Sequence, residues 1–97
     1  MIQIGTAGIG SGIDTLPEME KAGIKVAEVE FVRNIYMTNE KAKLLNPIAK
    51  KHKVQLSIHA PYYINLNSEE KAKVTASKKR ILDSCERGHH LGVNYIV

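Results

Sequence analysis

The residues best equipped for chemistry lie in one run, Leu56-Ser57-Ile58-His59-Ala60-Pro61-Tyr62-Tyr63-Ile64-Asn65-Leu66-Asn67, where a short strand-like stretch reaches a histidine and then an aromatic, proline-broken loop. In parallel α/β proteins, ligands bind outside the carboxyl ends of the strands, because the loops there vary while the sheet fixes their roots. His59 is therefore the first candidate, either as a metal ligand or as a hydrogen-bonded structural residue. Of the adjacent Tyr62 and Tyr63, one is expected to pack inward and the other to stay free for a partner. Glu28 and Glu30, two residues apart on an earlier strand-like run, either support a ligand from behind or fill an interior in pairs with Arg or Lys of neighbouring strands. His52, His89 and His90 fall near predicted helix ends, where unpaired carbonyls favour a cation, and are not read as metal ligands. His89 and His90 are adjacent, so a helix cannot turn both rings to one face.

These side chains need elements to hold them. Ile2-Gln3-Ile4-Gly5 alternates like a strand, and Thr6–Ile13, with glycines at 8, 10 and 12, reads as a loop. A first helix is expected at Thr15-Leu16-Pro17-Glu18, with Thr15 accepting from free amides of its first turn and Gly23 ending it. Val26–Val32 is the second predicted strand. The second helix, Asn39–Lys53, turns Leu44, Leu45, Ile48 and His52 to one face, and its Pro47 predicts a kink or a late start. Val54–His59 is the third strand. A long helix opening at Ser68-Glu69-Glu70 carries Val74, Ile81, Leu82 and Cys85 at helical spacing and stops at Gly92. Its Cys85 is expected to be buried and inert. Val93–Val97 reads as a fourth strand.

This β-α-β-α-β-α-β order predicts a parallel sheet with right-handed crossovers, an α/β class. If Ile2, Ile4, Ala27, Val29, Phe31, Leu56 and Ile58 face the helices, then Gln3, Glu28, Glu30, Ser57 and His59 share the other face. A doubly wound sheet is apolar on both faces, whereas this face is polar, which argues for a barrel whose interior it would line. About three and a half βα units cannot close an eight-stranded barrel. The chain is therefore expected to be the first part of something larger or one half of an assembly.

Composition fits that reading. The 97 residues are 43% hydrophobic and 25% charged, enough to bury the core of one small domain. A net charge of +4 is compatible with a polyanionic partner without requiring one. A single cysteine forms no internal disulfide and no apolar run resembles a leader or a membrane span, so the expected compartment is the cytoplasm. The charge carried by Lys71, Lys73, Lys78, Lys79 and Arg80 is read as the solvated face of the long helix, since barrel helices lie away from the strand ends.

Glu28-Val29-Glu30-Phe31-Val32-Arg33-Asn34, the His59–Asn67 loop and Ala76-Ser77-Lys78-Lys79-Arg80-Ile81-Leu82 together resemble the N-terminal portion of the endonuclease IV family, especially its archaeal branch. That resemblance implies a xylose isomerase-like TIM (β/α)8 barrel, with residues 1–97 as its N-terminal part. It implies zinc-assisted hydrolysis of the DNA backbone at abasic sites, with double-stranded DNA as partner and zinc as cofactor. His59 looks like the family's first metal-ligating histidine, and Tyr62 like the loop tyrosine that contacts DNA near the lesion. Arg33, Asn34 and Tyr36 fall in the loop that enters the minor groove in this family. Where bacterial members carry a histidine on strand one, this chain has Thr6. The family's other ligands would lie beyond Val97. Since such hydrolysis needs several ligands, the chain alone is expected to bind zinc weakly and not to turn over. Two other readings fit the same architecture: a metal-dependent sugar isomerase or epimerase, using Glu30 with His59, and a non-catalytic half-barrel that dimerises through its sheet edges.

Overall fold

The computed structural model describes residues 2–97. Its elements run β1 (Thr6–Ala7), α1 (Thr15–Lys21), β2 (Val26–Glu30), α2 (Asn39–Lys51), β3 (Gln55–His59) and α3 (Lys71–Leu91). The strands form one parallel sheet in the order β1-β2-β3. Ile96 adds a parallel bridge to Ile58, and the Ile58 amide donates to the Tyr95 carbonyl at 3.0 Å while the Val97 amide donates to Ile58 at 2.8 Å. The architecture is α/β, a parallel sheet with its helices packed on one face. The smallest extent, 19 Å, matches one sheet plus one helix layer at roughly 10 Å each. The helices cover one face of the sheet and the other is open.

Alternation decides which face is which. Ala27, Val29 and Phe31 on β2 and just beyond it, with Leu56 and Ile58 on β3, are buried against Leu16, Leu45, Ala49 and Leu91 of the helices. Glu28, Glu30 and Ser57 are half-buried on the opposite face, and His59 is exposed there. Burying an apolar side chain is worth roughly 1.5–3 kcal/mol, so a one-residue slip, which would turn every apolar residue outward, is strongly disfavoured.

Several expected details are corrected. The first strand is Thr6–Ala7, not Ile2–Gly5, and Ile2 and Ile4 are 92% and 88% exposed. Thr6 pairs with Ala27 and Ala7 with Glu28, so Ile2 and Ile4 fall opposite residues that precede β2 and have nothing to pair with. Gly5 marks the close approach, since a Cβ there would lie 1.9 Å from the Val26 carbonyl oxygen. Thr15 does not cap α1; its hydroxyl accepts from the Gly12 amide at 3.2 Å and donates to the Ile9 carbonyl, tying down the glycine loop instead. α2 starts at Asn39, capped by the Thr38 hydroxyl, and runs through Pro47 without a late start. Its buried face is Ala42, Leu45 and Ala49, while Leu44 is half-exposed.

On α3 the buried face is Ser77, Ser84, Gly88 and Leu91, so Leu82 and Cys85 lie exposed, contrary to the hydrophobic reading. Small residues win that face because the helix comes close. A Cβ on Gly88 would meet Ile96 Cδ1 at 2.7 Å and Val93 Cγ2 at 2.9 Å. Gly92, in the left-handed region at φ 78°, ends the helix as expected. Among the described residues no helix is long and apolar enough to cross a membrane.

Candidate functional site

The polar side chains share one face of β2 and β3, with Glu30 and His59 at the carboxyl-end rim and Glu28 and Ser57 in the middle. The parallel register sets Glu28 beside Ser57 and Glu30 beside His59. The His59 ring leans back along the sheet, its Nδ1 lying 3.7 Å from Glu28 Oε1. That is longer than a hydrogen bond. Neither partner is sequestered, with side chains 47% and 30% exposed. The expected pairing of Glu28 with an Arg or Lys of a neighbouring strand is replaced by this histidine. The open face behind Glu28 forms a concavity of about 560 Å³, lined by Gln3, Thr6, Glu28, Gln55, Ser57 and Tyr95, and His59 lies outside this lining, reaching it only through Glu28. A second hollow of about 470 Å³ lies beyond His59, between Tyr62, Ile81, Cys85 and Val97.

Two loops frame this rim and are tied together at their roots. The Phe31 amide donates to the His59 carbonyl at 3.0 Å, and the Tyr62 amide to the Val32 carbonyl at 2.9 Å. Val32 pays for that geometry with φ 59°, an outlier for a β-branched residue, and such strain persists only where surrounding contacts impose it. Nothing in the hydrophobic pattern marked this position.

In the loop after β2, Tyr36 packs edge-on against Phe31, centroids 5.5 Å apart. Burial and then the nearby Glu30 carboxylate raise its hydroxyl pKa above the ordinary 10.0. Arg33 and Asn34 are exposed. In the loop after β3, Tyr62 and Tyr63 are both half-exposed, so neither packs inward as expected. Their rings lie 4.3 Å apart and their hydroxyls are hydrogen-bonded at 3.0 Å. That bond, then the charge Tyr62 carries when ionised, then burial, raise the Tyr63 pKa.

The structure thus groups His59 with Glu28, and Tyr36 with Glu30, while Tyr62 comes to the rim through its backbone. Zinc takes nitrogen and oxygen donors of the kind His59 and Glu28 offer, but needs at least three protein ligands. Among the described residues no three His, Cys, Asp or Glu side chains come together. These residues supply part of a coordination sphere. His52, at the end of α2, contacts Glu20 on the far side of the fold and takes no part.

Residues 16–97 match the xylose isomerase-like TIM barrel family. The chain belongs to that family. Uncharacterized protein MJ0133 of Methanocaldococcus jannaschii is 32% identical over 100 residues, covering 99% of this chain and 36% of that protein. Two solved barrels share the fold. A crystal structure of D-psicose 3-epimerase in the presence of D-fructose matches 96% of this chain and 36% of its own, with TM-score 0.73 and 17% identity. The crystal structure of SacUVDE matches 99% of this chain and 48% of its own, with TM-score 0.66 and 11% identity. The chain therefore spans less than half the length of that relative and of each of the two solved chains. His59 is the last residue of β3, whereas Glu28 lies in the middle of β2.

Proposed function

We propose that this xylose isomerase-like chain belongs to a zinc-dependent endonuclease that cleaves the backbone of double-stranded DNA at abasic sites. The observation that carries the reading is the build of the rim: a half-exposed imidazole 3.7 Å from a carboxylate, framed by two cross-linked loops that project aromatic rings outward. A small substrate is best enclosed, whereas a duplex is met by exposed rings, hydrogen-bonding groups and a cation, which Tyr62, Tyr63, Asn34, Arg33 and Tyr36 supply. In this reading His59 offers one nitrogen to zinc and Glu28 one oxygen, with the remaining ligands outside the described residues. Burial and the nearby Glu30 carboxylate keep the Tyr36 hydroxyl protonated. Tyr62 contacts the duplex beside the lesion, and Arg33 pairs with a phosphate.

The test is fluorescence anisotropy with duplexes that differ only in one abasic site. The reading expects a preference for the abasic duplex, loss of that preference in Tyr62→Ala, and affinity that falls steeply with salt as phosphate counterions are released. Binding that is weak, salt-insensitive and blind to the lesion would refute it.

A second reading, a metal-dependent ketose isomerase or epimerase, is favoured by the adjacent carboxylate and imidazole and by the likeness to D-psicose 3-epimerase. It expects D-fructose to perturb His59 and Glu28 in the presence of a divalent cation, with no response to DNA.

A further inference from the structure

α3 reaches back to both rim loops from a single face. Arg87 Nε donates to the Met37 carbonyl at 2.7 Å and its Nη1 to Asn39 Oδ1 at 2.8 Å. Arg80 Nη1 donates to the Tyr63 carbonyl at 2.8 Å. Ser77, one turn earlier and buried, accepts the Asn65 amide at 2.8 Å. At about 100° and 1.5 Å per residue, Arg80 and Arg87 point within roughly 20° of each other and stand about 10 Å apart along the axis. That spacing assigns one arginine to each loop: Arg87 holds the end of the segment carrying Arg33, Asn34 and Tyr36, and Arg80 holds the tyrosine loop.

We infer that Arg80 and Arg87 are positioning residues that fix the two rim loops relative to His59. They act through the Tyr63 and Met37 carbonyls and the Asn39 side chain and do not touch substrate. The solvated cationic face expected for α3 is thus divided. Lys73 and Lys79 pair with the exposed Glu70 and with Asp83 of their own helix, whereas Arg80 and Arg87 turn to the loops. The two arginines also differ from each other. Arg80 uses one donor on one carbonyl, a bond lysine can imitate. Arg87 spans two acceptors with a planar fork, which lysine cannot. The effect on DNA rests on the endonuclease reading; the effect on the loops does not.

The experiment is residue-resolved amide hydrogen exchange on the 97-residue chain, alongside anisotropy with a duplex carrying one abasic site. Losing a charge-assisted hydrogen bond should speed local exchange about tenfold. In Arg80→Met that acceleration is expected at Ile64 and Asn65, and in Arg87→Met at Asn34, with the β2–β3 amides unchanged in both. Arg80→Lys should restore the wild-type pattern and Arg87→Lys should not. Abasic-duplex affinity should fall about tenfold in each Met variant. Loops that exchange as in wild type, or amides that accelerate equally throughout, would overturn the inference. A wild-type chain that ignores DNA while the exchange pattern holds would sink the endonuclease reading alone.

Discussion

Replacing Gly88 by alanine sets two opposing effects against each other. At an open helix position the change stabilises by about 0.8–1.0 kcal/mol, because glycine loses more backbone freedom on folding. Here the new methyl would sit 2.7 Å from Ile96 Cδ1 and 2.9 Å from Val93 Cγ2, with Ile58 Cδ1 at 3.6 Å. The Ile96 methyl is the tip of a flexible side chain and can move, but Val93 is β-branched and stiff. Overpacking of this kind costs about 1–3 kcal/mol, so the net expectation is a loss of about 1 kcal/mol. For a domain of this size that lowers Tm by roughly 4–8 °C. Ile96→Val removes the closest atom and should cost no more than about 0.5–1.5 kcal/mol alone. In the double variant most of the Gly88→Ala penalty should disappear, a coupling of about 1 kcal/mol in a denaturation cycle. A Gly88→Ala chain more stable than wild type, with no coupling to Ile96→Val, would refute the packing of α3 on segment 93–97.

Three further outcomes follow. Gly12 sits at φ 80° with Leu45 Cδ2 2.7 Å from where a Cβ would be, so Gly12→Ala adds backbone strain to overpacking and should cost about 2–5 kcal/mol by denaturant unfolding. Cys85 is exposed, so a thiol reagent should modify it in the native chain almost as fast as in the unfolded one; slow native modification would return it to the core. Tyr36 is raised above 10.0 by burial first and by Glu30 second, so the folded state disfavours its tyrosinate. The stability this contributes is present below pH 10.0 and is lost as pH rises through the folded value. Glu30→Gln should lower the Tyr36 pKa without returning it to the ordinary value, read from tyrosinate absorbance as a difference against Tyr36→Phe.

The fold was legible where apolar residues alternate. Ala27, Val29 and Phe31 against Glu28 and Glu30, and Leu56 and Ile58 against Ser57 and His59, gave both the strands and the polar interior face. It was misread where burial does not depend on hydrophobicity. On α3, Ser77, Ser84 and Gly88 are buried because they are small, and no apolar periodicity reports that. At the amino end, alternation at Ile2 and Ile4 mimics a strand, but the register carries both opposite residues that precede β2. At the site, the histidine and its loop were visible in the sequence. The Glu28 contact, the strained Val32 and the arginines of α3 were not, because each depends on register or on contacts between residues far apart in the chain.

The most direct test of the rim as a cation site is a zinc titration followed on the ring signals of the four histidines by NMR. The account predicts that His59 moves first, that Glu28→Gln weakens the response, and that His52, His89 and His90 stay where they are. Zinc that shifts His89 and His90 while His59 remains still would contradict it.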